Sequence, residues 1–298
     1  MKILVTGISG FIGEQAATAL TKEHTVWGIY RNQKPKHLEG LPRLFLIKDD
    51  LCNPQHLPKI CDCVFHAAAD TPLTTNDSKK LWESNYNGTQ NLLNWSIKAG
   101  VKHFLFCSTM AVYGKIQEDE INESIPPRHP DAYGASKLAA EELLQHYPEE
   151  FPTMNRLTIR LPGIVGLGAK HTFLPRTIQK ILRGAPALVY KKNALFNNIS
   201  HVEDLVEFAL NWFGQPLSQS YFMFNAGAKN PVTLSNMAKI LIECLNSRSP
   251  IIENNQGRRP ILINTNQAEK QGFPIRTTTD ILLKYAKEIL STQTSQFY

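Results

Sequence analysis

The chain opens with a short apolar run that breaks on a glycine turn and continues into a helix-forming segment, "KILVTGISGFIGEQAATALTK". The same unit then recurs along the first 110 residues. "HTVWGIY" and "RLFLIKDD" read as strands, and "CDCVFHAAA" is a further apolar run. "KKLWESNYNGTQNLLNWSIKAG" reads as one long helix closing on Gly100, and "VKHFLFCST" is the next strand. Glycine just past the last periodic residue is a helix stop signal. Strands that are apolar throughout, alternating with helices, require a parallel sheet covered on both faces. The alternation continues through a helix beginning near Tyr133 and the strand "RLTIRLPG".

After about residue 165 the pattern loosens. Helix candidates "FLPRTIQKILRG", "VEDLVEFALNWF" and "LSNMAKILIECL" are separated by short strand-like pieces and loops rich in Asn, Gly and Pro. The expected fold is α/β, a Rossmann-type doubly wound parallel sheet with a smaller C-terminal α/β part. Residues 1–165 are expected to bind a dinucleotide and residues 166–298 to bind substrate, with segments intermixed.

The turn "TGISGFIG" gives the first chemical expectation. Gly7, Gly10 and Gly13 are spaced G-x-x-G-x-x-G between a strand and a helix. Glycines there allow a tight turn and close backbone approach to a pyrophosphate. The phosphates then meet the free N–H groups and positive dipole of the helix N-terminus. Asp50 follows the third strand, placed either to accept from an adenine amino group or to cap its loop. Ala67, Ala68 and Ala69 leave room for a flat ring. Asn85 sits within the long helix as a ligand contact or a satisfied core amide.

Composition excludes other classes. Hydrophobic residues make up 42% of the 298-residue chain and charged residues 19%, as in ordinary globular proteins. No apolar run approaches the ~20 residues of a membrane span, and the N-terminus lacks signal-peptide features. Five cysteines without a regular framework fit a reducing cytoplasm. The net charge is +6, but Lys and Arg are spread along the chain rather than run together. That suits a small phosphorylated ligand better than nucleic acid. Cys52, His56, Cys61, Cys63 and His66 are metal-ligand types, but C-x-C on a sheet strand is a poor zinc spacing, and no metal is expected. His201 in "SHVEDL" is expected to cap or pack the following helix.

"DAYGASK" places Tyr133 and Lys137 four residues apart at a helix start, on one face. Alone the pair says little. Together with "TGISGFIG", "DDL", "VFHAAA", "NYNGTQNLL", "CSTMAVYG", "IRLPGIVG", "ISHVEDL" and "NPVTLSNMAKI", the ordered set resembles the extended short-chain dehydrogenase/reductases, the NAD-dependent epimerase/dehydratase family, over nearly the whole chain. The resemblance implies that Tyr133 transfers the proton and that Lys137 lowers its pKa and holds the nicotinamide ribose. It implies that Thr109, with Ser108 as the alternative, hydrogen-bonds the substrate oxygen. Cofactor contacts are implied at Gly7, Ser9, Gly10, Phe11, Ile12, Gly13, Arg31, Asp50, Leu51, Ala67, Ala68, Ala69, Asn85, Lys137 and Pro162. Gly163 stands where the family carries a substrate-contacting Asn, and Arg258 and Arg259 in "GRRP" are candidate substrate-phosphate contacts.

Two departures refine the expected activity. Sugar 4,6-dehydratases of this family carry Asp-Glu straight after the Thr, where this chain has Met110 and Ala111. A dehydratase is therefore not expected. The end of the second strand lacks the acidic residue that marks NAD and offers Tyr30 and Arg31, so NADP(H) is expected over NAD(H). The leading reading is an epimerase or reductase of a nucleotide-linked sugar. Alternatives are an NADPH-dependent reductase of a small non-nucleotide ketone or aldehyde, and a non-catalytic dinucleotide sensor or RNA-binding relative. The resemblance also implies a homodimer formed through helices at 79–99 and 133–147.

Overall fold

The computed structural model describes residues 1–147, 154–218, 221–254 and 260–294. The chain divides into two compact units. The first comprises Met1–Lys115, Pro126–Arg160 and Val206–Phe224, and the second Ile116–Ile125, Leu161–Leu205 and Asn225–Tyr298.

The first unit is built on β1 (Lys2–Thr6), α1 (Phe11–Leu20), β2 (Thr25–Tyr30), β3 (Leu44–Lys48) and β4 (Cys63–His66). Next come α2 (Ser78–Trp82), α3 (Gly88–Ala99), β5 (His103–Thr109) and α4 (Ala132–Gln145). The sheet has seven strands in the order Tyr221–Asn225, Asn155–Leu161, β5, β4, β1, β2, β3. Pairing from β5 through to β3 is parallel. The order reverses beside β1, which is the switch point where doubly wound folds bind ligands. Ile3, Leu4, Val5, Val64, Phe65, Phe104 and Phe106 are fully buried, as strands covered on both faces must be.

The glycine turn is sterically demanding. Gly7 has φ +72°, and a Cβ there would lie 2.7 Å from the Ala68 nitrogen. A Cβ on Gly13 would lie 2.3 Å from the Gly7 oxygen. Side chains at these positions would push α1 off β1 and off the end of β4.

The long helix read from the sequence is interrupted. Between α2 and α3, residues Glu83–Asn87 form a π-helical turn, and Gly100 closes α3 at φ +74°. The wide turn has a tertiary cause. Asn85 points inward and grips the main chain of Asp70, giving up regular helix spacing for two buried hydrogen bonds.

In the second unit, helices Phe173–Leu182, Leu234–Cys244 and Thr278–Thr294 enclose an apolar core that includes Ile178, Met237, Leu241 and Leu282. Short strand pairs flank it: Ala187–Tyr190 with Ile251–Asn254, Leu195–Phe196 with Val232–Thr233, and Gly163–Val165 with Ile199–His201. His201 Nδ1 accepts from the Glu203 N–H at 3.3 Å, in the first turn of helix Val202–Phe213. Among the described residues, no helix is long and apolar enough to cross a membrane.

Candidate active site

A cleft of about 460 Å³ opens at the carboxyl ends of β1, β2, β3 and β4. Of the expected cofactor residues, Gly7, Ser9, Gly10, Arg31, Asp50, Leu51, Ala67, Ala68 and Ala69 line it. Phe11, Ile12 and Gly13 form the first turn of α1 behind the glycine loop. The Ser9 hydroxyl donates to the Gln33 carbonyl at 3.0 Å and ties that loop to the chain beyond β2. Asp49 folds the loop after β3, its carboxylate accepting the N–H groups of Asp50, Gln55 and His56. Asp50 accepts from the Cys52 N–H at 3.0 Å through one oxygen and still faces the cleft.

Arg31 is paired in the cleft. Its terminal nitrogens donate to the two Asp70 oxygens at 3.0 and 2.9 Å, a bidentate ion pair across the cleft. The guanidinium on which the NADP expectation rests is thus engaged by a carboxylate in this structure. Burial pulls the Asp70 carboxyl up, but the Arg31 hydrogen bond and charge outweigh it and hold it below its ordinary value.

A polar chain runs beneath the cleft. The Ala68 N–H donates to Thr6 Oγ1 at 3.2 Å, and Thr6 Oγ1 lies 2.6 Å from His66 Nδ1. His66 Nε2 lies 2.9 Å from Thr89 Oγ1, and Thr89 donates to the Asn85 carbonyl at 2.6 Å. Since the Thr89 proton is spent on that carbonyl, Nε2 carries the imidazole proton and Nδ1 accepts from Thr6. Burial, with the Lys137 charge adding to it, holds His66 well below its ordinary pKa, so the ring is neutral. Asn85 continues the chain, donating to Ser136 Oγ at 3.0 Å, and Ser136 donates to the Tyr133 carbonyl at 2.8 Å. The floor of the cleft and α4 are thus one hydrogen-bonded body.

α4 starts where its sequence dictates. Asp131 caps it by accepting from the Gly134 N–H at 2.8 Å. A Cβ on Gly134 would stand 2.3 Å from the Ala111 oxygen, so the glycine lets α4 seat directly on the turn Met110–Tyr113 after β5. That seating brings Tyr133 into hydrogen bonding with Thr109. Burial raises the Tyr133 phenol, and the Thr109 hydrogen bond, rather than the Lys137 charge, is the main counterweight. Lys137 is fully buried, with Nζ 3.9 Å from the centre of the Phe106 ring. Burial lowers its pKa to about 8, with Cys107 and Glu141 pulling the other way.

Ser108 is engaged elsewhere. It donates to Glu141, whose carboxylate also receives Arg160 Nε at 3.1 Å and Nη2 at 2.7 Å. This leaves Thr109 as the hydroxyl beside Tyr133. Sequence reasoning missed Asp70, Thr6, Ser136, Glu141 and Arg160. The only local signal was the adjacency of Asp70 to "HAAA" and of Glu141 to the Lys137 turn.

In the second unit, Gly163 lines a separate cavity of about 310 Å³ with Phe173, Tyr190, Phe196, Asn198 and Leu234. Pro162 separates strands Asn155–Leu161 and Gly163–Val165. Arg258 and Arg259 lie outside the described residues. Of the sulfur and imidazole groups, Cys61 and Cys63 are buried with thiols pushed up by burial, Cys61 to about 12, and His66 is held by two threonines.

Comparison with known proteins agrees with this architecture. The chain is 25% identical over 250 residues to an N-acetyl-alpha-D-glucosaminyl-diphospho-ditrans,octacis-undecaprenol 4-epimerase of Escherichia coli O157:H7, covering 83% of this chain and 73% of that one. It is 26% identical over 267 residues to a dTDP-D-glucose 4,6-dehydratase of Mus musculus, covering 82% and 73%. The structure of MoeE5 in complex with UDP-glucose and NAD superposes with a TM-score of 0.80 at 25% identity, over 98% of this chain and all of that one. The sequence model of the NAD dependent epimerase/dehydratase family matches residues 3–227. With the glycine turn, the switch-point cleft and the seven-stranded sheet in place, the chain belongs to the NAD dependent epimerase/dehydratase family.

Proposed function

We propose that the protein is an NAD(H)-linked epimerase or reductase that works at a carbinol carbon of a nucleotide-linked sugar. The observation that carries this reading is the seating of Tyr133 against Thr109 on a helix bonded to the floor of the dinucleotide cleft. The glycine cradle fits a dinucleotide, because its backbone comes too close for any Cβ at Gly7 or Gly13. Bound there, the nicotinamide group supplies the hydride chemistry. Gly7, Gly10 and the first turn of α1 hold the pyrophosphate, and Ala67–Ala69 leave room for the ring side. Tyr133 moves the proton at its phenol oxygen, and Thr109 holds the same substrate oxygen. Lys137, a buried cation, orients the ribose and favours the phenolate once the phenol loses its proton.

Two finer points belong to the same reading. With Arg31 paired, NAD(H) replaces NADP(H) as the favoured cofactor, in line with the NAD held by the MoeE5 structure. Dehydration is not expected. Met110 and Ala111 carry no acid–base group, and Ala111 is pressed against Gly134. We further read the protein as a homodimer of the cytoplasm, where its five thiols stay reduced.

A second reading is favoured by the cavity around Gly163, whose described lining is largely aromatic and aliphatic. It is a reductase of a smaller apolar ketone. The test is to incubate the enzyme and NAD with a panel of UDP- and dTDP-sugars and to track the products by NMR. Inversion at a ring carbon without loss of water supports the epimerase. A 4-keto-6-deoxy product returns the chain to the dehydratases. Inert sugars combined with oxidation of separately supplied NADH by apolar ketones favour the second reading.

A further inference from the structure

Arg31 is the first residue beyond β2, and Asp70 is the fourth beyond β4. β1 lies between those strands in the sheet. Their ion pair therefore spans the end of β1, over the mouth of the glycine turn, and both residues line the same cleft.

The two partners are not equally anchored. The Asp70 main chain is clamped by Asn85, whose Oδ1 accepts the Asp70 N–H and whose Nδ2 donates to the Asp70 carbonyl, both at 2.9 Å. The Thr74 hydroxyl donates to its carboxylate at 3.2 Å. The Asp70 side chain is 11% exposed and the Arg31 side chain 42%. Asp70 is thus a fixed post on which a half-exposed guanidinium is held. Asp49 and Asp50 add two further carboxylates to the lining.

The geometry points to Asp70 as the cofactor-selectivity residue of this cleft, acting by holding Arg31 away from a ribose 2′-phosphate. This rests on the dinucleotide reading above. A 2′-phosphate needs an arginine in the bidentate geometry that Asp70 already occupies. To take Arg31, the phosphate would have to break that fork and leave the Asp70 carboxylate unpaired beside its own negative charge. The 2′-hydroxyl of NAD imposes neither cost. Arginine alone at the end of β2 suggests NADP; arginine masked by a fixed carboxylate selects NAD.

The test is calorimetric titration of wild type, Asp70→Asn, Arg31→Ala and the double variant with NAD+ and NADP+ separately. Asp70→Asn keeps the side-chain shape, and the clamp by Asn85 uses main-chain atoms, so the fold should be retained; thermal melts check this. Freeing the guanidinium should move the NADP-to-NAD affinity ratio toward NADP by roughly 10–100-fold, the worth of one hydrogen bond to a charged group. The shift should vanish when Arg31→Ala is added. Arg31→Ala by itself should move the ratio less than about threefold, because in wild type the charge is already spent.

An unchanged ratio in Asp70→Asn, or a shift that survives in the double variant, overturns the inference. So does a loss of roughly tenfold or more in relative NADP affinity in Arg31→Ala, which would mean that Arg31 already serves the phosphate and gives an answer even if Asp70→Asn unfolds. If folded wild type binds neither dinucleotide, the reading of the cleft itself fails. If it binds and only the ratios disobey, Asp70 alone loses its role.

Discussion

Tyr133 and His66 are two buried titratable groups whose environments push them in opposite directions. Burial raises the phenol, so at neutral pH Tyr133 carries its proton, and in the proposed mechanism it becomes a base only with substrate and cofactor in place. Tyr133→Phe should fold, bind NAD with unchanged affinity, and lose turnover by about two to four orders of magnitude. Steady-state kinetics beside a cofactor titration checks both halves. His66 bears on stability. Its folded pKa lies well below the ordinary value near ~6.5 that it regains on unfolding. Between those values the unfolded chain binds the extra proton. Stability is therefore complete above pH ~6.5 and falls as pH drops, by about 1.4 kcal/mol per unit from this residue. Urea unfolding at pH 7.5 and 5.5 should show a larger acid loss in wild type than in His66→Gln. The glycine turn was legible because chain geometry dictates it locally. The Arg31–Asp70 pair was not, because residues 39 apart meet only through the strand order.

Among elements, the strands were the most legible. β1, β4 and β5 are buried on both faces, so their sequences carry unbroken apolar runs. The helix from Ser78 to Ala99 was legible in extent but not in form. No propensity marks the π turn, whose cause is the distant main chain of Asp70. The helix Thr278–Thr294 was missed although it buries Ile281, Leu282, Tyr285 and Ala286 at helical spacing. Two substitutions probe these junctions. Gly134→Ala puts a Cβ into the Ala111 carbonyl and should cost about 1–3 kcal/mol, with turnover falling because Tyr133 shifts from Thr109. Asn85→Ala frees the Asp70 main chain and orphans buried groups, costing about 1–3 kcal/mol. It should also weaken NAD binding. Melting curves with and without cofactor read both.

At the scale of the molecule, the alternating pattern predicted a large nucleotide-binding part, whereas the second unit is assembled from short strand pairs too brief for any periodicity to show. The proposed homodimer can be placed on the sequence. α3 and α4 carry Leu93, Ile97 and Leu143 along a common groove, with Tyr147 just past the end of α4. Leu143→Glu should convert a dimer into a monomer in light scattering while leaving the sheet's circular dichroism unchanged.

The clamp of Asn85 on residue 70 has a consequence for how such a chain can change over generations. Most residues at a ligand site also help to hold the site's shape, so altering them risks the fold. Here the shape at position 70 is secured by main-chain atoms and by a side chain fifteen residues away. The backbone at 70 is thereby held whichever side chain it carries, while the carboxylate's own bonds go to Arg31 and Thr74. A single codon change there would explore a new cofactor pool while the backbone around the cleft stays in place.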